Sequence, residues 1–364
     1  MKNKVSVFKA VFCLALIISL SSMLCVSTFS AGTPIGGYNV YYGMLHSHSD
    51  ISDGKGTPSD AYKYARDTAG LDFFSLADHA EQMSSTEWSN LKNTANSYNQ
   101  DGTFVTFWGF EWSSPVYGHV SVFNTSDYCK YDPFNLKTNT FRRLCEWLNS
   151  RDGIAFMNHP GRENTFSDEF YNFDRGPYSD KVVGMELWNK NNDFSEYYYN
   201  DGYHSNDGNK GYFDEALTLG WKIGAAGSDD NHDANWGTKN DYRLAVLATN
   251  KTRASIYDAL KNRRFFSTLD KNISLSFKVN GNEMGSIIST GTYNIDIKAS
   301  DMDTIETFTK VQLIKNGSVI KTWTPNIAAP VLSTTITTAL NDYYYVKVTQ
   351  ADGNEAISSP IFIR

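Results

Sequence analysis

The chain is poor in cysteine, has no surplus of positive charge and contains no repeat. Four cysteines occur in 364 residues. None has a CxxC context, so a cysteine-based zinc site is not expected. Lys and Arg number 33 against 40 Asp and Glu, a formal charge of −7. A nucleic-acid-binding surface would normally be basic, so this balance argues against one. No low-complexity stretch or internal repeat appears, and the composition is that of an ordinary globular protein. Aromatics are the exception, with 22 Tyr, 22 Phe and 8 Trp.

Long apolar runs are also scarce. The main one, Val11 to Val26, follows Lys2, Lys4 and Lys9 and precedes Thr28-Phe29-Ser30, a small-x-small cleavage signal. Residues 1–30 are therefore expected to be an export signal peptide, and the mature chain to be secreted with no stable membrane anchor. The alternative, a membrane span, is disfavoured by Ser19, Ser21 and Ser22 and by the short run. Cys13 and Cys25 would leave with the signal. Cys129 and Cys145 would remain, either bridged in an oxidising compartment or, for Cys145, packed as a thiol in the amphipathic segment Phe141 to Leu148.

From Gly36 to about Leu269, short apolar strand patterns alternate with helical ones, which predicts repeated βα units and a parallel sheet or barrel. Beyond Asp270 the pattern changes to short strands, with Asn316-Gly317 as a hairpin turn. The expected organisation is a domain over 36–269, an α/β fold, followed over 271–364 by a small all-β sandwich of immunoglobulin-like type.

Histidines are few, seven in all, yet most fall at predicted strand ends. His46 and His48 follow the first strand, and an i, i+2 pair on an extended chain presents both imidazoles to one side. Asp78-His79, Glu111, His159 and Asp229-Asp230-Asn231-His232 follow later strands, and His119 lies in a segment of unclear strand context. Strand ends of a βα barrel converge on one face, where active sites form. A lone histidine is more often a packed core residue than a ligand, but this joint pattern points to metal. Imidazole and carboxylate without thiolate suit Zn, Mn or Fe rather than Ca. The donor count exceeds one ion's need, so two or three divalent ions are expected, with Glu111 a bridging carboxylate. Clustered cations make hydroxide available near neutral pH, which suits ester hydrolysis, above all of phosphoesters.

These motifs resemble the polymerase-and-histidinol-phosphatase (PHP) superfamily of metal-dependent hydrolases. The match comprises Leu45-His46-Ser47-His48, Ser52-Asp53-Gly54, Ala77-Asp78-His79, Gly109-Phe110-Glu111-Trp112, Gly118-His119, Asn158-His159-Pro160-Gly161 and Gly227-Ser228-Asp229-Asp230-Asn231-His232. The segments Ala259 to Thr268 and Val279 to Gly285 resemble the junction to a β-sandwich in the CehA/McbA-type subgroup. The resemblance implies a distorted (β/α)7 barrel and metal ligands at His46, His48, Asp53, His79, Glu111, His119, His159 and a closing Asp/His pair. The closing motif is one residue longer than usual, so Asp229 and Asp230 compete for that role, with His232 completing it. Asp78 is expected to orient a neighbouring ligand, and Arg162 to hold a substrate anion. The substrate would be a small-molecule or polymeric ester. Rival readings are a carboxyl or carbamate ester hydrolase with the same metals, and a secreted binding module without turnover. His204, in the loop Tyr197 to Tyr212, is expected to be casual; that loop's tyrosines, with Trp188, are candidates for stacking on substrate.

Overall fold

The computed structural model describes residues 34–162, 169–173, 176–189, 211–303 and 305–364. The expected signal peptide, His204 and most of the tyrosine-rich loop lie outside these residues. Among the described residues no helix is long and apolar enough to cross a membrane.

Nine strands lead up to the residues expected to form the junction. They are β1 (Asn39–Met44), β2 (Phe73–His79), β3 (Val105–Ser114), β4 (Gly118–Phe123), β5 (Ile154–Met157), β6 (Val182–Trp188), β7 (Gly224–Gly227), β8 (Arg243–Ala248) and β9 (Phe265–Thr268). Among the described residues five α-helices lie between them: α1 (Pro58–Asp67), α2 (Ser85–Tyr98), α3 (Phe141–Asn149), α4 (Tyr212–Thr218) and α5 (Arg253–Lys261). The starts of α1 and α2 are fixed by local chemistry. Thr57 with Asp60, and Ser84 with Glu87, form capping boxes that satisfy the first free backbone N–H groups.

The sheet is mixed, where alternation alone predicted parallel strands. β1–β2–β3 and β5–β6–β7 are parallel. β4 is inserted antiparallel between β3 and β5, and β8 and β9 add antiparallel beyond β1. The reason is local. Only Pro115, Val116 and Tyr117 separate β3 from β4, too few for a crossover helix, so the chain must turn back as a hairpin.

The sheet curls on itself. Chain beyond β1 and β7 meets where Ser47 bridges Asn231 in parallel, with His48 N donating to Asn231 O at 2.9 Å. Lower down, Ala225 N of β7 donates to Ser359 Oγ (3.2 Å), and Ser359 Oγ in turn donates to Phe265 O of β9 (2.6 Å). The bore is filled by large-against-small packing. Gly43, Gly109, Gly184 and Gly224 each face an aromatic ring, that of Phe73, Phe123, Phe156 and Phe265 respectively, and a Cβ at any of the four would collide with that ring. The outer face of the sheet packs on the helices through Trp88, Leu91, Phe141, Leu144 and Cys145. Cys129 and Cys145 are separate buried thiols, so of the two sequence alternatives the packed one holds. Burial raises the pKa of both thiols.

Ten further strands follow: β10 (Ser274–Val279), β11 (Asn282–Glu283), β12 (Ile287–Ile288), β13 (Thr292–Ser300), β14 (Phe308–Lys315), β15 (Ser318–Trp323), β16 (Val331–Thr337), β17 (Tyr343–Gln350), β18 (Glu355–Ser358) and β19 (Ile361–Ile363). β11–β10–β13–β16 make an antiparallel four-stranded sheet. The others extend the large sheet, because β18 pairs antiparallel with β9. The hydrogen-bonded ladder therefore runs unbroken past residue 270. A second core, including Leu275, Phe277, Ile295, Ile297, Val346 and Val348, unites residues of both sheets.

Candidate metal centre

The curled sheet brings residues distant in sequence to one mouth. Parallel β2 and β3 place His79 in register with Glu111. His119 reaches the same mouth by a different route. β4 runs antiparallel, so its beginning, not its end, lies there, with His119 opposite Ser113. His159 follows β5, and Asp230 and His232 follow β7. His46 and His48 are carried in by the extended link beyond β1, and their Nε2 atoms stand 3.2 Å apart. The shared-side geometry expected of the i, i+2 pair is therefore present.

The donors overlap. Four groups have ligand atoms within 4.8 Å of one another: His48, Asp53, His79 and His232; His46, His159 and Asp230; His46, His48 and Glu111; and Glu111, His119 and His159. Glu111 lies at the centre. Its Oε1 is 3.2 Å from His46 Nε2, 3.3 Å from His119 Nδ1 and 3.4 Å from His159 Nε2, while its Oε2 is 2.8 Å from His79 Nδ1. Asp230 Oδ1 is 3.2 Å from His46 Nε2 and 3.0 Å from His48 Nε2. Asp53, half exposed on the loop after β1, has Oδ1 3.2 Å from His232 Nε2, 3.7 Å from His79 Nε2 and 3.8 Å from His48 Nδ1.

The two adjacent aspartates separate cleanly. Asp230 turns into the cluster at φ 44°, in the left-handed region that is uncommon outside glycine, asparagine and aspartate. Asp229 turns away. It accepts from Ser47 Oγ (3.2 Å) and from Gly237 N (3.3 Å), and it belongs to none of the four groups. Of the two candidates, Asp229 is corrected to a buried structural carboxylate. Burial raises its pKa to about 6.

A second layer fixes the donors. Glu186, on β6, accepts from His46 Nδ1 at 2.8 Å, from His159 N at 3.0 Å and from Asn189 Nδ2 at 2.6 Å. This bond directs the other nitrogen of His46 into the cluster. Sequence reasoning missed Glu186. Its signal was a lone carboxylate inside the apolar strand Val182–Trp188. Asn158 Nδ2 donates to Glu111 Oε1 (2.7 Å) and to Ser121 Oγ (2.9 Å). Asp78 meets the donors through Ser52, whose Oγ lies 3.3 Å from His48 Nδ1. It accepts from Ser49 N (2.7 Å), Ser49 Oγ (2.8 Å) and Ser52 Oγ (2.9 Å), holding the loop that carries Asp53.

The electrostatics are those of a cation site. Burial would keep Glu111 and Asp230 neutral, but the surrounding imidazoles, His46 foremost, hold both carboxyls well below their ordinary range. Burial would likewise strip His46 of its proton, yet Asp230, Glu186 and Glu111 raise its pKa well above normal. Burial opposes a charge on His79 too, but contact with Glu111, then Asp53 and Asp230, raises it to about 9. His159 and His232 are shifted down, chiefly by burial. The donor set suits a divalent transition metal, since it is imidazole and carboxylate without thiolate. Among the cluster's nitrogens, His159 Nδ1 is buried without a hydrogen-bond partner, while Asp230 Oδ1 meets only imidazole nitrogens, those of His48 and His46. A buried carboxylate is costly unless positive charge, from an imidazolium or a metal ion, lies against it.

A cleft of about 220 Å³ opens over the cluster, lined by Asp53, His79, Glu111, His119, His159 and Asp230 among others. Arg162 and Lys239 also line it. Arg162 Nη1 donates to Asp230 Oδ2 at 3.0 Å. Lys239 Nζ donates to Asp233 at 2.9 Å.

Residues 68–165 match a family described as a protein of unknown function, DUF3604. An uncharacterised protein of Chlamydia pneumoniae is 26% identical over 371 residues, which is 89% of this chain and 57% of that protein. One from Chlamydia trachomatis is 23% identical over 373 residues, with the same coverage. The chain thus spans little more than half the length of these relatives. Among solved structures, it is similar to a two-domain protein of Bacteroides vulgatus containing a predicted PHP-like metal-dependent phosphoesterase, at 17% identity, covering 88% of this chain and 93% of that one, with a TM-score of 0.49. It is also similar to PsfC from Pseudomonas syringae, at 15% identity, covering 60% and 87%, with a TM-score of 0.38.

Proposed function

We propose that this chain is an exported, metal-dependent hydrolase of phosphoric esters, built on a distorted (β/α)7 barrel with an accessory immunoglobulin-like sandwich. The observation that carries the reading is the sharing of donors: Glu111, His46, His48 and His159 each belong to two overlapping groups beneath one cleft. Nine donor side chains exceed one ion's need, and Glu111 can bridge through its two oxygens, which suits two or three ions held close together rather than one. The candidates are Zn, Mn and Fe.

His48, Asp53, His79 and His232 would hold one ion, Glu111, His119 and His159 a second, and His46 with Asp230 and the shared atoms a third. Bound ions would supply Lewis acidity and a water of lowered pKa. The chain's own residues supply the rest. Arg162 and Lys239 bring positive charge to the mouth, where a phosphoryl group's oxygens would lie. The bond from Arg162 to Asp230 orients the guanidinium. Glu186 and Asn158 hold His46 and Glu111, so that the donors need little reorganisation on loading.

The test is direct. The purified chain should carry at least two transition-metal ions and cleave an aryl phosphate or phosphodiester faster than matched carboxyl or carbamate esters. One ion or none, with no turnover after reconstitution with Mn or Zn, overturns the reading.

A further inference from the structure

His119 and His159 reach the mouth from two separate turns, and one buried side chain lies against both. His119 is the second residue of β4, and His159 belongs to the link after β5. Glu169, later in that link, is fully buried. Its Oε2 accepts from Gly161 N, two residues beyond His159, at 2.7 Å. Its Cγ lies against Gly118, the residue before His119. A Cβ on Gly118 would stand 2.7 Å from that atom and 2.8 Å from the ring of Phe170. Phe170 N donates to Tyr117 O at 3.0 Å, so the main chain of the β3–β4 turn is tied to the same segment.

Both turns need such a tie. His159 has φ 26° and Gly161 φ 95°, a tight path that is uncommon for a histidine. His159 N donates to Glu186 Oε2 at 3.0 Å, so this turn is gripped by a carboxylate at each end, Glu186 before Pro160 and Glu169 after it. The grip is anchored in its turn. Phe170, Tyr171, Asn172 and Phe173 have φ of 47°, 52°, 55° and 59°, a left-handed run that L-residues adopt only at a cost. Packing enforces it. Phe170 and Phe173 are buried, Phe170 meets the ring of Phe141 edge-on at 5.4 Å between centres, and Trp221 Nε1 donates to Phe173 O at 3.1 Å. Surroundings that impose this backbone also fix the start of the Glu169 side chain.

We propose that Glu169 is a positioning residue for one ion of the cage, the one that Glu111, His119 and His159 would hold. The inference rests on the metal-centre reading above. Glu169 sets the spacing between the two turns that deliver two of those three donors. The donors of the other outlying group, His48, Asp53, His79 and His232, come from the segment after β1, the end of β2 and the segment after β7. Loss of the Glu169 bond should therefore loosen one ion and spare another.

The experiment loads the full chain with zinc or manganese and strips it with a competing chelator, which should release the ions in separable steps. Glu169→Ala, and Glu169→Asp, which withdraws the carboxylate by one carbon, should weaken one step about 10–100-fold, the usual cost of losing a group that orients a ligand. Glu169→Gln keeps an acceptor for Gly161 N and should restore the parent affinity. A double-mutant cycle assigns the step. On a His119→Ala background the effect of Glu169→Ala should largely vanish, because that group is already broken, and on an Asp53→Ala background it should persist. Should Glu169→Ala fail to fold, Glu169→Asp and Glu169→Gln carry the same comparison. A parent chain that binds fewer than two ions overturns the metal reading and this inference with it. With two or more ions bound, release that is unchanged in the Ala and Asp variants, weakened equally at every step, or no better in Glu169→Gln overturns this inference alone.

Discussion

The bore and the mouth of the curled sheet are made from the same strands, a few residues apart, and they obey opposite rules. In the bore, Val105, Phe107 and Gly109 alternate inward along β3, and rings fill the gaps opposite glycines. Two residues further on, the same inward face presents Glu111. β6 repeats the change from Gly184 to Glu186, and β5 with its extension from Phe156 to Asn158. The strand period thus delivers polar groups to the mouth with the register that packs the bore. The apolar plug beneath removes water from the donors and leaves access from the cleft above. A rigid floor and a polar rim are therefore one construction.

The largest test of this division is Glu111→Gln. It removes the carboxylate that meets His46, His79, His119 and His159. Metal content should fall, and turnover should drop roughly a thousandfold or more, because Lewis-acid stabilisation is worth several kcal/mol; elemental analysis and kinetics on one preparation check both. Glu186→Gln should cost less, about 10–100-fold in metal affinity, since it disturbs only the orientation of His46 and the His159 backbone. A chelator-competition titration measures it. Unchanged affinity would mean that Glu186 does not support the cage.

A pH series sharpens the contrast further. In the metal-free chain His79 holds its proton up to about pH 9, above the ordinary 6.5. Its raised pKa contributes stability that is fully present below about pH 6.5 and lost as pH rises through about 9. A metal must displace that proton, so apparent affinity should climb with pH, about tenfold per unit for each proton displaced, with the share of His79 in that slope ending near pH 9. Calorimetry in buffers of different ionisation enthalpy counts the protons released. The smallest effects belong to the bore. Gly109→Ala or Gly184→Ala should destabilise by about 1–3 kcal/mol through overpacking, read by denaturant unfolding, while metal stoichiometry stays the same. A lost ion in either variant would show that the floor is not independent of the rim.

Much of this was legible in the sequence, for physical reasons. His46, His48, His79, Glu111, His159 and the Asp230/His232 segment stand at or near strand ends because parallel strands share a direction, and a polar residue after an apolar run marks that end. His119 was recognised without its place, since nothing local says that β4 runs backwards; the three-residue link from β3 was the available clue. Glu186 escaped because it contacts the site through His46 rather than through the cleft. The choice between Asp229 and Asp230 turned on one backbone torsion that composition does not encode. The strands β8 and β9, which follow the closing motif, were invisible as sheet members because their partners β1 and β18 are remote in sequence.

The contact between Ala225 and Ser359 has a bearing on how the chain is made. The seam beside β7 depends on a hydroxyl 134 residues downstream. During synthesis, β7 therefore emerges long before the group that meets it, and its edge waits with an unsatisfied amide while the later strands are still in the ribosome. Non-local pairings of this kind slow folding and expose a strand edge to other chains in the interval. Residue 359 thus acts as a late latch on the sheet that carries the metal donors, and grafting that sheet onto another scaffold without its latch would deliver an open one.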